Sequence, residues 1–361
     1  MAAADGILWC WGPGDSRFGL TVAGQVVELF VHRPTELAGC VFRGRVIRVE
    51  AALDAAFVDL GAGDRPGFLG GAKALGLSEG MTVAVRVKTE SAGAKGPKLV
   101  PAPEFPFQGP VPALLERPHP LALLLARHPG IAELRVSDPA ALAEARALFP
   151  AARLERGLSL DEELEAALAP VVPLACGGRL VMEPTAALTA VDVDSGPAKP
   201  AEANRQAVAE IARQLRLRGI GGQVVVDFVS GPKGTPYKLA EALKRVVATD
   251  PTPTHVFGVS KLGLVEVVRE RLRPSLAEVM CRRASEPTAE TLALAGLRRL
   301  LAEAEARPGA RLGLVAAPEV VAALSRLPDA MAEVERRLGR GVGIRADACR
   351  TRDDVLIEDL R

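Results

Sequence analysis

Aromatic side chains are scarce in this sequence: its 361 residues hold ten Phe, two Trp and one Tyr. Cysteine is sparse too. Cys10, Cys40, Cys176, Cys281 and Cys349 are scattered, odd in number and form no Cys-x-x-Cys pair, and the four histidines are equally dispersed. These shortages argue against a disulfide framework and against a zinc site built from neighbouring ligands. No apolar run approaches the roughly 20 residues of a membrane helix, and nothing at the start reads as a signal peptide. The expectation is a soluble cytoplasmic protein without a membrane partner. An excess of either charge is also missing, since 45 Lys and Arg against 44 Asp and Glu leave a net +1. Bulk charge therefore neither predicts nor excludes a polyanionic partner, and any such site must come from local clustering.

What is present is a globular composition, 48% hydrophobic and 25% charged, in a chain too long for one ordinary core. The first segment reads as strands, GILWCWG and then RFGLTVAGQVVELFVHR. Short β-rich pieces between Gly turns follow and suggest a small barrel over 37–98, with GMTVAVRVKTE as its last strand. Closely spaced prolines over 99–120 read as a linker and a domain boundary. Beyond it the texture is α/β. Asp138 and Pro139 predict a helix start, and Ser159 with Glu162 predicts a capping box. PAEANRQAVAEIARQLRLRG is an amphipathic helix with a stripe of Ala207, Val208, Ile211 and Leu215, and Gly219 at its C-cap. LVEVVRERL reads as a further helix, and the tail over 280–361 as a small α-rich domain.

The stretch VDVDSG carries the chemistry. LTAVDVDSG, the helix and QVVVDFV form a β-α-β crossover, which joins parallel strands. Asp192 and Asp227 lie near the C-terminal ends of those strands, the edge where open α/β sheets bind ligands. Asp194 faces the same side as Asp192, about 7 Å away. At an effective dielectric of about 20 that repulsion is on the order of 2 kcal/mol, and a divalent cation removes it. With oxygen donors only, magnesium or manganese suits the site better than zinc, and substrate phosphate would complete the shell. The plainer alternative is that Asp194 opens the Ser-Gly turn and the aspartates cap loops.

Phe57 and Phe68 fall in one short segment flanked by Arg43, Arg45, Arg48 and Arg65. Barrels of this kind bind single strands by stacking bases on aromatics in a basic groove. Both rings could equally be core. Lys88, Lys95 and Lys98 could meet phosphates or form a solvated basic loop. Arg213, Arg216 and Arg218 also fit simple complementation of a helix C-terminus.

GCVFRGRVIRVEAALDAAFVDLGAGDRPGFLGG resembles the RNA-binding barrel of the ribonuclease E/G family. ALTAVDVDSG, EIARQLRLRGIGGQVVVDFV and VSKLGLVEVVRERLRPSL resemble its catalytic core. The resemblance covers nearly the whole chain. It implies an α/β (α+β) protein with an RNase H-like core formed by 1–36 and 121–175, into which an OB-fold RNA-binding barrel is inserted. A metal-binding α/β catalytic subdomain over 176–279 and the small C-terminal domain would follow. It further implies endonucleolytic cutting of single-stranded RNA, in rRNA processing or mRNA decay, with magnesium on Asp192 and Asp227. Asp194 stands where the family carries an Asn that orients the first aspartate, so Asp194 joins the catalytic set. Phe57, Phe68, Lys88, Lys95 and Arg43 would contact RNA.

Several family features are missing. The segment that houses the family's 5′-monophosphate sensor has no counterpart after the barrel, which leaves open whether a 5′-monophosphate matters. Ser230 stands where an acid is expected, and DPTPT over 250–254 replaces a basic stretch. The zinc-linking Cys-x-x-Cys reads CRRA, leaving Cys281 alone, so neither structural zinc nor a zinc-joined dimer is expected. Oligomeric state, RNA target and cleavage-site preference stay open. The alternative function is a non-catalytic RNA-binding relative.

Overall fold

A computed structural model describes residues 3–63, 65–90, 96–283 and 285–360. Among them the first sheet is five-stranded and discontinuous in sequence. Gly6–Gly12, Asp15–Val22 and Gln25–His32 run antiparallel, and Glu133–Val136 then pairs parallel with Gly6–Gly12 and Arg153–Leu154 with Glu133–Val136. Trp9 stacks on Phe18, and Phe18 on Phe30, so three of the four Trp and Phe side chains in residues 1–36 fix this one layer.

Between the third and fourth strands of that sheet lies a closed five-stranded barrel. Val41–Glu50, Ala55–Asp59, Gly67–Gly70, Lys98–Pro101 and Thr82–Thr89 pair in that order, and the last returns to the first. Closure leaves no free edge within the ring. Its interior is filled by Phe42, Val46, Val58, Leu69 and Val85. The segment 99–120, expected as a linker, behaves differently. Lys98–Pro101 closes the barrel and Ala113–Glu116 adds a strand on Val41–Glu50. The prolines lie at strand ends and between strands, where no ladder N–H is required.

The largest layer is a six-stranded sheet in the order Val171–Pro173, Arg179–Pro184, Thr189–Asp194, Gly222–Asp227, Val265–Arg269, Thr254–Val259. The helices Pro200–Leu217 and Thr235–Val247 cover one face. The first of them ends as its sequence predicts, with Gly219 taking the positive φ of +65° just past the last turn. The segment expected as the helix LVEVVRERL is instead the strand Val265–Arg269. Its burial alternates residue by residue, a period of two rather than 3.6.

Two local expectations also need correction. The helix Asp161–Leu168 starts one residue after Leu160 with no side-chain cap; the Ser159 hydroxyl bonds Asp161 instead of closing a box with Glu162. Asp138 does cap the helix Pro139–Leu148, accepting from the amides of Ala140 and Ala141. The C-terminal region is not merely α-rich. Ala289–Ala306, Pro318–Leu324 and Pro328–Leu338 pack on a three-stranded sheet of Leu312–Ala316, Gly343–Ala346 and Leu356–Asp359. No helix among the described residues is long and apolar enough to cross a membrane.

Charged groups buried between layers tie the subdomains together. Glu28, on the first sheet, faces Arg216 at 3.5 Å and bonds Arg273. Arg33 donates to the Val279 carbonyl at 3.1 Å and the Thr291 hydroxyl at 2.9 Å. Asp138 holds Arg337 at 2.6 Å, and the Arg337 guanidinium stacks 3.7 Å above the Trp11 ring.

Candidate active site

The parallel crossover brings Asp192 and Asp227 into register as direct partners on adjacent strands. Strand spacing then separates their Cα atoms by about 5 Å. Val191, Val193, Val224 and Val226 alternate with them and point into the core under the two helices. Both aspartates are therefore forced onto the uncovered face, and both are exposed. Sheet alternation alone accounts for acids in an otherwise apolar strand: one face is core and the other is open.

Asp194 shares that face and is fully engaged. Its Oδ1 accepts from the Gly196 N–H at 2.9 Å, and its Oδ2 meets Arg179 at 2.8 Å. Arg179 is its register partner on the neighbouring antiparallel strand. The Gly196 amide first, and the Arg179 guanidinium second, hold the Asp194 carboxyl below its usual range. Gly196 has a φ of +49°, and a Cβ there would lie 2.8 Å from the Gly177 carbonyl oxygen, so the turn after Asp194 demands glycine. Asp194 thus does open the turn, and its charge is answered by Arg179 rather than turned toward Asp192. Among the described residues no side-chain hydrogen bond or ion pair engages Asp192 or Asp227.

The strand end beyond Asp227 is pinned from the helix side. Asn204 is 2% exposed; its Nδ2 donates to the Val229 carbonyl at 2.8 Å and its Oδ1 accepts from the Val229 N–H at 3.0 Å. Sequence reasoning missed Asn204, although its position on the apolar stripe with Ala207 and Val208 was a usable signal. It also missed Arg179, which only the strand register reveals. Loops leaving the same sheet end carry the exposed cations Lys199, Lys233 and Lys261. Phe257, 70% exposed on the sheet's edge strand, is another aromatic outside the core.

Whether this donor set suits a metal can be judged from its chemistry. Among the described residues no group of three or more His, Cys, Asp or Glu is gathered to enclose an ion. Two exposed carboxylates about 5 Å apart suit an ion that keeps much of its water and takes further oxygens from a phosphate, the habit of magnesium. The pair fits that role, and a closed zinc site does not.

On the barrel, Phe57 and Phe68 are register partners with ring centroids 5.9 Å apart, edge to face. They alternate with the buried Ala56, Val58 and Leu69 and are only half-buried, so they lie outside the barrel core. The Arg48 guanidinium sits 4.4 Å from the Phe57 centroid. Lys88 is exposed. Lys95 lies outside the described residues. Arg43 does not join this surface: it is 6% exposed and donates to the carbonyls of Pro106 at 3.0 Å and Pro110 at 3.2 Å. Its guanidinium holds the proline-rich segment against the barrel.

Two of the helix-end arginines and the altered stretches have structural employment. Arg213 pairs with Glu210 and Arg216 with Glu28. Within DPTPT, Asp250 makes a bidentate pair with Arg269 at 2.8 and 3.2 Å, and Arg269 also donates to the Ile220 carbonyl. Cys281 is buried, and burial pushes its thiol pKa up.

Fold and site together define an α/β protein with an inserted small barrel and an open carboxylate pair at the end of a parallel crossover. The model of the ribonuclease E/G family matches residues 140–272, the segment that contains all three aspartates. The chain is 31% identical over 205 residues to "Ribonuclease G" of Escherichia coli (strain K12), covering 52% of this chain and 42% of that protein. It is 38% identical over 128 residues to "Ribonuclease E/G-like protein, chloroplastic" of Arabidopsis thaliana, covering 32% of this chain and 13% of the relative. To "Ribonuclease E" of Escherichia coli (strain K12) it is 36% identical over 128 residues, covering 33% and 12%. Over residues 140–272 the chain is similar to the ribonuclease E/G family. It spans less than half the length of the ribonuclease G relatives it matches.

Proposed function

We propose that this protein is a magnesium-dependent endoribonuclease that cuts single-stranded RNA, in the cytoplasm, during rRNA processing or mRNA decay. The observation that carries the reading is the register pairing of Asp192 with Asp227 on an exposed sheet face, inside the segment matched by the family. In the same reading the discontinuous sheet is an RNase H-like core and the barrel an OB-fold. A barrel of five strands lying between the third and fourth strands of that sheet supports both assignments.

Asp192 and Asp227 would hold the ion. When bound, such an ion activates water and stabilises the charge of an in-line phosphodiester displacement. The chain's own part is positional. The parallel ladder fixes the two carboxylates side by side, Asn204 fixes the strand end behind Asp227, and the Arg179–Asp194 pair keeps a third negative charge compensated. Lys199, Lys233 and Lys261 rim the same end and suit the phosphates of a bound strand. Phe57 and Phe68 offer faces for base stacking. Manganese would serve in place of magnesium, and no structural zinc takes part.

One observation favours a second reading, an RNA-binding relative without catalysis. The residue expected to orient Asp192 is Asp194, and both its oxygens are taken by Gly196 and Arg179. Cleavage of a fluorescent single-stranded RNA with and without magnesium decides between them. Metal-dependent cutting supports the nuclease; salt-dependent binding without cutting supports the alternative; neither binding nor cutting sinks both.

A further inference from the structure

A cleft of about 1100 Å³ opens at the other end of the six-stranded sheet, away from the aspartates. Its walls come from three parts of the molecule. The barrel contributes Thr89 and Glu90, the hairpin between Arg179–Pro184 and Thr189–Asp194 contributes Ala186 and Ala187, and the segment after the Val265–Arg269 strand contributes Arg271 and Arg273. Arg218, at the end of the Pro200–Leu217 helix, also lines it.

Arg218 is the anomaly. It is 7% exposed, and its Nε bonds Gln214. Its Nη2 is buried with no hydrogen-bond partner. The other arginines lining the cleft have carboxylates: Arg271 has Glu278, Arg273 has Glu28 and Arg282 has Glu286. Arg218 has none among the described residues; Glu210, which acts on it from a distance, is already bonded to Arg213 and Gln214. A buried guanidinium without a counter-ion is costly unless an anion from outside completes it. Burial first, and the nearby Arg213 charge second, pull Arg218 down to about 10, still charged at neutral pH.

The lining carboxylates do not supply that anion. Glu278 is held by Arg271 and Ser275, and Glu90 accepts from the Leu37 and Ala38 amides. Glu183 sits exposed at the rim. An arginine fork in such a position matches a phosphate.

We propose that this cleft is a second phosphate-binding site, in which Arg218 receives a backbone phosphate of the RNA strand that leads to Asp192 and Asp227. The proposal rests on the RNA reading above. Continuity of surface selects RNA over a small anion. Gln223, which lines the cleft, is exposed and shares the open sheet face with Val225 and Asp227. From Gln223, Asp227 is four residues along the same strand on the same face, about 13 Å. A short single strand spans that distance.

The test is equilibrium binding of a fluorescent single-stranded AU-rich octanucleotide without divalent cations, so that nothing is cut. Wild type is compared with Arg218→Gln across a salt series. The expected result is weaker binding and a log–log salt slope smaller by about 0.7, the loss of one phosphate contact on a single strand. Since Arg218 is buried, Ala187→Glu provides a second variant. It sets a negative charge at the exposed rim and is expected to weaken binding severalfold with unchanged melting. Unchanged affinity and slope in both variants overturn the proposal. So does 5′-AMP or inorganic phosphate binding as tightly as the octanucleotide through Arg218, which makes the cleft a small-anion site. Failure of the cleavage assay with these binding effects intact removes the nuclease reading and leaves the cleft.

Discussion

Arg179 reaches across an antiparallel ladder to its register partner Asp194 and holds Oδ2 at 2.8 Å. Two residues away on each strand, Asp192 has Val181 on one side and Asp227 on the other. The charge at 194 is therefore answered locally, and the acidic character of the face reduces to two carboxylates.

Removing that answer should change the response to metal. Arg179→Ala leaves Asp194 as an uncompensated charge beside the pair, so half-saturating magnesium for cleavage should fall severalfold. The double variant Arg179→Ala/Asp194→Asn should return close to wild type, because neighbours sharing one interaction are not additive. A magnesium titration of the cleavage rate for the three proteins measures this. Equal shifts in single and double variants would refute the coupling.

Asp192→Asn and Asp227→Asn should each lower metal-dependent cleavage by about 10²-fold or more, by analogy with the loss of one preorganised electrostatic group. Neither should unfold the protein, because both side chains are exposed. Two carboxylates about 5 Å apart repel by roughly 1 to 3 kcal/mol depending on screening. Each variant should therefore melt at or slightly above the wild-type temperature in EDTA. Reduced melting temperatures would instead assign the aspartates a structural role.

Asn204→Ala strips both bonds from the Val229 backbone and should cost about 1–3 kcal/mol of stability. A purely structural role ends there. Positioning of Asp227 further predicts a higher half-saturating magnesium concentration, measured well below the melting temperature. Unchanged magnesium dependence at lowered stability would limit Asn204 to the fold.

Phe57→Ala should weaken single-stranded RNA binding by about 1–3 kcal/mol, the range for one stacked base, without disturbing the barrel core. Arg43→Ala should instead lower the melting temperature, since its guanidinium holds the Pro106 and Pro110 carbonyls. Fluorescence binding and thermal melting of the two variants separate a contact surface from a brace.

Burial by itself would raise the Glu28 carboxyl, but Arg273 and then Arg216 outweigh it and hold the pKa below the usual 4.5. The unfolded chain thus takes up this proton first as pH falls. The stabilisation from Glu28 is complete above about pH 4.5 and is lost as pH drops through the depressed folded value. Glu28→Gln should cost about 3–5 kcal/mol at neutral pH, as when one partner of a buried pair is removed. It should also flatten the acid limb of a stability–pH curve measured by urea unfolding; an unchanged limb would place the acid sensitivity elsewhere.

The crossover was legible in the sequence because its signals are local and strong. An apolar run, a glycine turn, an amphipathic stripe and a second apolar run dictate two buried parallel strands with Asp192 and Asp227 near their ends. The strand alternation of VDVD likewise put Asp194 on the same side as Asp192. LVEVVRERL misled because valines spaced two apart and charges spaced three to four apart satisfy both periods, and only pairing with Gly222–Asp227 selects the strand. The proline-rich segment misled because its strands are completed by partners far away in sequence.

Arginine roles could not be read from position at all. Arg43, Arg179, Arg216 and Arg218 look alike in a sequence, yet one braces a loop, one compensates an aspartate, one is buried against Glu28 and one, with no carboxylate partner among the described residues, lines a cleft. Local pattern determined which strands exist and which face of each is apolar, since alternation and helical period are properties of neighbouring residues. Tertiary structure decided the register that sets Asp192 beside Asp227 and Arg179 beside Asp194, because register depends on pairing between segments that the chain brings together only on folding.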